Sequence, residues 1–224
     1  MKNTLITILI LFSLCTSGCL STKQTITQNT QSADNQGFYG TEIFLHEFEI
    51  IKRVLSILEK AIQSLENDQP VSQETLQRIV EVISNFSDKQ HQEKADRILF
   101  PLLRDKEEGR RKYFLGRLLM QHVTLRDKIR NLSESLNTFY QGKRARKRIA
   151  RIANSYIRYT RRHLGIEERI LLSWANSVLT YEDQIMLKNK FETLKKHDIE
   201  TGIYEKYAIM IEGLEKELGI RPEY

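Results

Sequence analysis

Cysteine is almost missing from this chain. Its 224 residues hold two, Cys15 and Cys19, and both fall within the first nineteen positions. Beyond them no disulfide framework, thiolate zinc site or iron–sulfur cluster can form, so any metal there must be held by nitrogen and oxygen. Proline and glycine are scarce too, at three and ten, and no stretch alternates apolar and polar residues as a half-buried strand does. That argues against a sheet. No apolar run is long enough for an ordinary membrane helix, which needs about 20 residues; the N-terminal run "LITILILFSL" (5–14) has ten. No nucleophile–His–acid set, phosphate-cradling glycine loop or cofactor fingerprint is present, and nothing reads as a hydrolase.

The first forty residues read as an address and a spacer. Lys2 supplies a positive start, 5–14 an apolar core, and the small residues Thr16, Ser17 and Gly18 lead into Cys19. The pattern resembles a bacterial lipoprotein signal, whose cysteine is lipidated and becomes the mature N-terminus. Thr16 departs from it, since Leu is usual there; an ordinary cleaved secretory signal is the alternative. Cys15, preceded by bulky Phe12 and Leu14, is a poorer lipidation site. "LSTKQTITQNTQSADNQGFYG" (20–40) is rich in Ser, Thr, Gln and Asn and reads as a tether with a reach of roughly 25 Å. The expected organisation is a signal peptide over 1–18, a flexible polar tether over 19–40 and one helical domain over 41–219. The protein is expected in the bacterial cell envelope, lipid-anchored on a periplasmic or outer-membrane face.

The rest is helical by its spacing. Phe44, Phe48, Ile51, Leu55, Leu58 and Ile62 recur every three or four residues, as on the apolar face of a bundle helix over about 41–65. Pro70 breaks the chain, and Ser72 is a candidate cap. A second helix runs from about 73 past Leu99, with Pro101 expected to kink or end it. A third spans about 110–140 and a fourth about 143–174, with Tyr156, Tyr159, His163, Glu167, Ile170 and Trp174 on its predicted buried seam. Two shorter helices follow. Thr180 and Asp183 form a capping box before the first, and Gly219 stops the last. The fold class is all-α: an up-down four-helix bundle with two additional C-terminal helices.

Histidine is rare but patterned. Four of the five, His46, His91, His122 and His163, fall one per long helix on or beside the apolar stripe, while His197 belongs to no pattern. A lone buried imidazole without a partner is costly. Four of them sharing a metal are not, because neutral imidazole is a good ligand for iron, zinc or copper. Glu167, one turn after His163, can reach the same site, and a cation would explain why a carboxylate is buried there.

These segments also match a known pattern. "HEFEIIKRVLSILEKA" (46–61), "HQEKADRILFPLL" (91–103), "LLMQHVTLRDKIRNL" (118–132) and "YIRYTRRHLGIEERIL" (156–171) together resemble the hemerythrin-like family, the HHE cation-binding domains. The resemblance runs over about 41–219 and is closest to the di-iron iron–sulfur-repair type. It implies a bundle around non-heme iron, as a di-iron centre or a single ion, that binds or senses dioxygen or nitric oxide or handles iron. It also implies His46, His91, His122 and His163 as terminal ligands and Glu167 as a bridge. The second bridging glutamate is replaced by Ala95. Glu47, Glu93 and Asp96 are the substitute carboxylates in reach. On an ideal α-helix Asp96 points about 100° away from position 95, whereas Glu47 falls within the apolar face of its helix. Loss of the bridge leaves several outcomes open: a weak second site, a single ion, an open coordination position, or a bundle whose metal site has degenerated into a structural or interaction module.

One segment stands apart. "QGKRARKRIARIANSYIRYTRRH" (141–163) carries nine Lys or Arg and no acid. It suits a solvated helix face or an anionic surface such as phospholipid headgroups. The export signal speaks against nucleic acid, and the membrane, through the lipid anchor, is the expected partner.

Overall fold

The computed structural model describes residues 40–106, 109–200 and 202–220, without the side chains at 197–200 and 204. The signal peptide, Cys15, Cys19 and nearly all of the tether lie outside the described residues, as does the side chain of His197. Regular structure among the described residues is helical throughout. Helix α1 is Glu42–Glu66, α2 runs over 73–106, and α3 is Arg110–Leu136. Helix α4 runs over 143–178, α5 is Tyr181–Glu200, and α6 is Ile203–Glu217. Helix α1 packs on α2 and α4, α2 on α3, and α3 on α4, which closes a four-rod ring; α6 lies on α2 and α1. This is the expected all-helical bundle with two further helices.

Local chemistry sets most helix ends. Ser72 is extended, and its Oγ accepts the Thr75 N–H at 2.9 Å. Thr180 and Asp183 cap each other reciprocally, the Thr180 N–H donating to Asp183 Oδ2 at 2.9 Å and the Asp183 N–H to Thr180 Oγ1 at 3.3 Å. Gly219 takes φ 67° after α6 while the Ile220 N–H reaches back to the Glu215 carbonyl at 2.9 Å. The core is the α1 stripe against its neighbours: Phe48, Leu55, Leu58 and Ile62 are fully buried with Leu76, Ile79, Leu99, Leu118 and Ile149. Each such side chain contributes about 1.5–3 kcal/mol.

The tail helices are held by specific contacts. Phe191 of α5 meets Phe44 edge to face at 5.2 Å. Arg53 grips Glu215 with two parallel bonds of 3.0 and 2.8 Å. Gly40 lies against α5 so closely that a Cβ there would stand 2.5 Å from the Gln184 carbonyl oxygen; only glycine fits.

Two helices are not plain α-helices. In α2 the Glu93 N–H bonds to the Asp88 carbonyl and the Phe100 N–H to that of Ala95; in α4 the Leu172 N–H bonds to that of Glu167. Each bond spans five residues rather than four, so these turns are widened and carry one more residue than an α turn. Pro101, expected to kink or end α2, does not end it: the helix runs on to Lys106. Its ring would clash with the carbonyl four residues back, and the widened turn just before it opens the helix there. No proline marks the widened turn Glu167–Leu171, yet it resets the seam of α4. Ile170, predicted inside, is 53 % exposed, and Leu171 takes the buried place at 1 %.

Candidate metal centre

Glu167 sits at the middle of the bundle, 1 % exposed, where the widened turn of α4 begins. Its Oε1 is 3.2 Å from His122 Nε2 and 3.4 Å from His163 Nε2, and the two Nε2 atoms are 3.0 Å apart. Its Oε2 faces His91 Nε2 at 3.0 Å. Three imidazoles from three helices therefore converge on one carboxylate.

Each ring is oriented from outside through Nδ1. His122 Nδ1 meets Asp96 Oδ1 at 2.6 Å, His163 Nδ1 meets Gln121 Oε1 at 2.8 Å, and His91 Nδ1 meets Glu47 Oε2 at 3.1 Å. Carboxylate and amide oxygens only accept, so each Nδ1 carries the hydrogen. In a neutral ring that leaves the Nε2 lone pair inward, the arrangement of imidazole metal ligands and their outer hydrogen bonds. Two lone pairs facing each other at 3.0 Å repel unless a cation or a proton lies between them. Two donors about 2.1 Å from one ion, at 90° to 109°, stand roughly 3.0 to 3.4 Å apart. The triangle of His122 Nε2, His163 Nε2 and Glu167 Oε1 has edges of 3.0, 3.2 and 3.4 Å. These three residues fit a single ion.

The walls are apolar. Phe44 and Phe48 stand edge-on to His91, and Phe100 stacks on His122 with centroids 5.5 Å apart. Arg126 approaches Asp96 at 3.5 Å and Asp88 at 3.3 Å. Beside His91, Lys94 Nζ lies 2.6 Å from Glu47 Oε1, a buried ion pair.

Protonation follows from these contacts. Burial disfavours charge on His91, but the hydrogen bonds and negative charge of Glu167 and Glu47 outweigh it and raise its pKa to about 9. Burial likewise opposes charge on His122, while bonds to Asp96 and Glu167 push its pKa up. Burial would raise the Glu167 carboxyl; the charge of His163 and hydrogen bonds from all three rings hold it well below the ordinary 4.5. Without a metal, the proton held on His91 offsets negative charge on Glu167 and Glu47.

The structure brings together His91, His122, His163 and Glu167 and leaves other expected residues outside. His46 is exposed. The neighbouring Glu47 holds the inward face of α1 instead, and one residue on a helix turns a side chain by about 100°. His46 lines a cavity of about 440 Å³ between α1, α2 and α5, whose wall also includes Glu47 and Lys94. Glu93 faces outward, within 3.7 Å of Arg97. Asp96 does not point away: the widened turns of α2 carry it round to His122, where it holds the outer nitrogen rather than bridging. Ala95 is fully buried and offers no oxygen. Sequence reasoning missed Gln121 and Lys94. A polar residue beside His122, and a lysine one turn after His91 in a buried stretch, were the available signals.

A buried histidine–carboxylate cluster inside four antiparallel rods defines a class, the helical-bundle cation-binding proteins. The hemerythrin HHE cation binding domain family matches residues 40–175, more than half of the chain, and the chain belongs to that family. The match takes in α1 to α3 and most of α4; α5 and α6 lie beyond it. No curated protein and no solved structure matches the chain.

Proposed function

We propose that this protein is an exported, lipid-anchored hemerythrin-type protein that holds one non-heme iron ion at His122, His163 and Glu167 and takes up dioxygen or nitric oxide there. The observation carrying this reading is the asymmetry about Glu167. On the Oε1 side two imidazole nitrogens complete a triangle of ligand-like spacing. On the Oε2 side, among the described residues, only His91 Nε2 is within reach. Position 95 is alanine, His46 is outside, and Glu47 engages the far nitrogen of His91 together with Lys94. Two protein donors are too few for a second ion of comparable affinity, so a single ion is favoured over a di-iron centre.

Iron bound there would supply a redox-active Lewis acid with coordination positions left for a small ligand. The chain's own residues do the rest. Asp96 and Gln121 fix the tautomers of His122 and His163, Arg126 balances Asp96, and Phe44, Phe48 and Phe100 keep bulk water from the rings. Lys2, the apolar run 5–14 and Cys19 support export and anchoring. A role in repairing cytoplasmic iron–sulfur proteins does not fit that address.

The test is metal analysis of full-length protein purified anaerobically from iron-replete cells, with near-ultraviolet and visible spectra before and after nitric oxide. One iron per chain and a new charge-transfer band are expected. Iron-free protein of undiminished stability would overturn the reading and leave a purely structural bundle.

A further inference from the structure

His163 closes the basic segment, but the lysines and arginines before it have no part in the metal centre, and the fold gives them a shape. Lys143–Ile166 is regular α-helix. On it Arg144, Arg148, Arg151, Arg158 and Arg162 are spaced by four, three, seven and four residues. At about 100° per residue all five fall within roughly 40° of one line. The line is about 27 Å long, at roughly 1.5 Å per residue. The turn between Arg151 and Arg158 is not left without charge: Ser155 occupies it, and Lys128 of α3 reaches across to donate to Ser155 Oγ at 3.0 Å. A cation thus stands at every turn of the rod.

These charges are not used inside the fold. All five arginines are exposed, and among the described residues none of their guanidinium groups has an ion pair or hydrogen bond. The nearby acids are engaged by other groups of the same helix. Glu59 holds Arg161 through two bonds of 2.9 and 2.7 Å, Asp68 holds Lys143 at 2.7 Å, and Glu66 accepts from Asn154 at 3.1 Å. A solvated helix face normally mixes signs and forms pairs along itself; this one does not.

We infer that this arginine line docks the bundle on an anionic phospholipid surface. Guanidinium groups bind phosphate oxygens in pairs, and a row one turn apart suits a field of headgroups. Helix α4 is flanked by α1 and α3, so it presents the row on the side of a bundle. The export reading places the domain beside a bilayer and away from nucleic acid. The inference draws on the export reading for the presence of a bilayer, and not on the metal.

The test uses the full chain with Cys19→Ser, which removes the lipidation site and isolates the helix. It is mixed with vesicles of phosphatidylcholine alone and of equimolar phosphatidylglycerol and phosphatidylcholine. Binding to the anionic vesicles only is expected, and it should be lost when salt shortens the screening length to roughly 3 Å. Adding Arg148→Gln, Arg151→Gln and Arg158→Gln should weaken binding on the order of 100-fold, since each basic residue near an anionic surface contributes roughly fivefold. Unchanged circular dichroism of that variant shows that the fold is intact. Equal binding to both vesicle types, unchanged binding by the triple variant, or displacement from vesicles by duplex DNA would each overturn the inference. Detergent-dependent release of the wild type but not of Cys19→Ser reports on the anchor separately, so the two readings can fail independently.

Discussion

The two oxygens of Glu167 face different worlds. Around Oε1, His122 and His163 aim bare nitrogens at a shared point, and Asp96 and Gln121 hold them from behind. Around Oε2, His91 stands alone inside, with Glu47 and Lys94 as an ion pair at its back. One carboxylate therefore joins a pole built for a cation to a pole whose positive charge the chain provides itself. The difference teaches that buried charge can be balanced by an ion at one end and by a lysine and a protonated imidazole at the other. On the proposed reading, a few side chains leave the Oε2 pole with too few donors for a second ion.

The comparison is broken most severely by Glu167→Gln. The neutral amide removes the anion common to both poles, and metal retention should fall by more than about 100-fold, a larger loss than for an outer-shell change. Equilibrium dialysis with Fe²⁺ or Zn²⁺ measures it, and unchanged retention would remove Glu167 from the site. Asp96→Asn and Gln121→Leu act only on the Oε1 pole, through the far ring nitrogens. Each should cost roughly 10- to 100-fold in metal affinity while leaving the fold intact. If Glu47→Gln cost as much as either, the two poles would not be distinct.

Ala95→Glu sharpens the comparison from the other side by restoring an oxygen donor at the Oε2 pole. Iron content should rise from one ion per chain toward two; no gain would show that position 95 is not a vacated bridge. The metal-free protein should also reveal the charge at the Oε2 pole by its pH dependence. His91 is raised from 6.5 to about 9. Its contribution to stability is full below pH 6.5 and is lost as pH rises through about 9. Glu167 is depressed, so its contribution is present above pH 4.5 and lost in acid. The thermal midpoint without metal should peak between these limits and drop by several degrees above pH 9. Metal uptake runs the opposite way, because protons on His91 and His122 compete with the ion, and affinity should increase with pH. The smallest effect is expected for His46→Ala. The residue is exposed and outside both poles, so metal content should be unchanged and stability altered by less than about 0.5 kcal/mol.

Much of this was legible before any coordinates. The period of Phe44, Phe48, Ile51, Leu55 and Leu58 specifies a buried helix face whatever it packs against. Ser72, the Thr180–Asp183 pair and Gly219 act within one turn of themselves, so their roles could be read locally. Histidines one per helix, with Glu167 a turn beyond His163, pointed to a shared interior site. What could not be read was rotation. Glu47 already fell within the apolar face of its helix, with His46 beside it; which of the two reaches the site depends on how α1 sits against α2 and α4. Asp96 was placed about 100° from position 95 and Ile170 in the core because both were projected on an ideal α-helix. The widened turns of α2 and α4 shift everything after them by one residue.

The sequence by itself determined that this protein is a set of amphipathic rods with a few polar ligand-type residues among their apolar faces, because periodicity and caps are properties of the nearest few residues. Only the tertiary structure decided which nitrogen meets which oxygen, that the second pole holds Lys94 and Glu47, and that five arginines share one line on the outside. Those outcomes depend on helix rotation and on a single inserted residue per widened turn, which are settled by packing between distant segments.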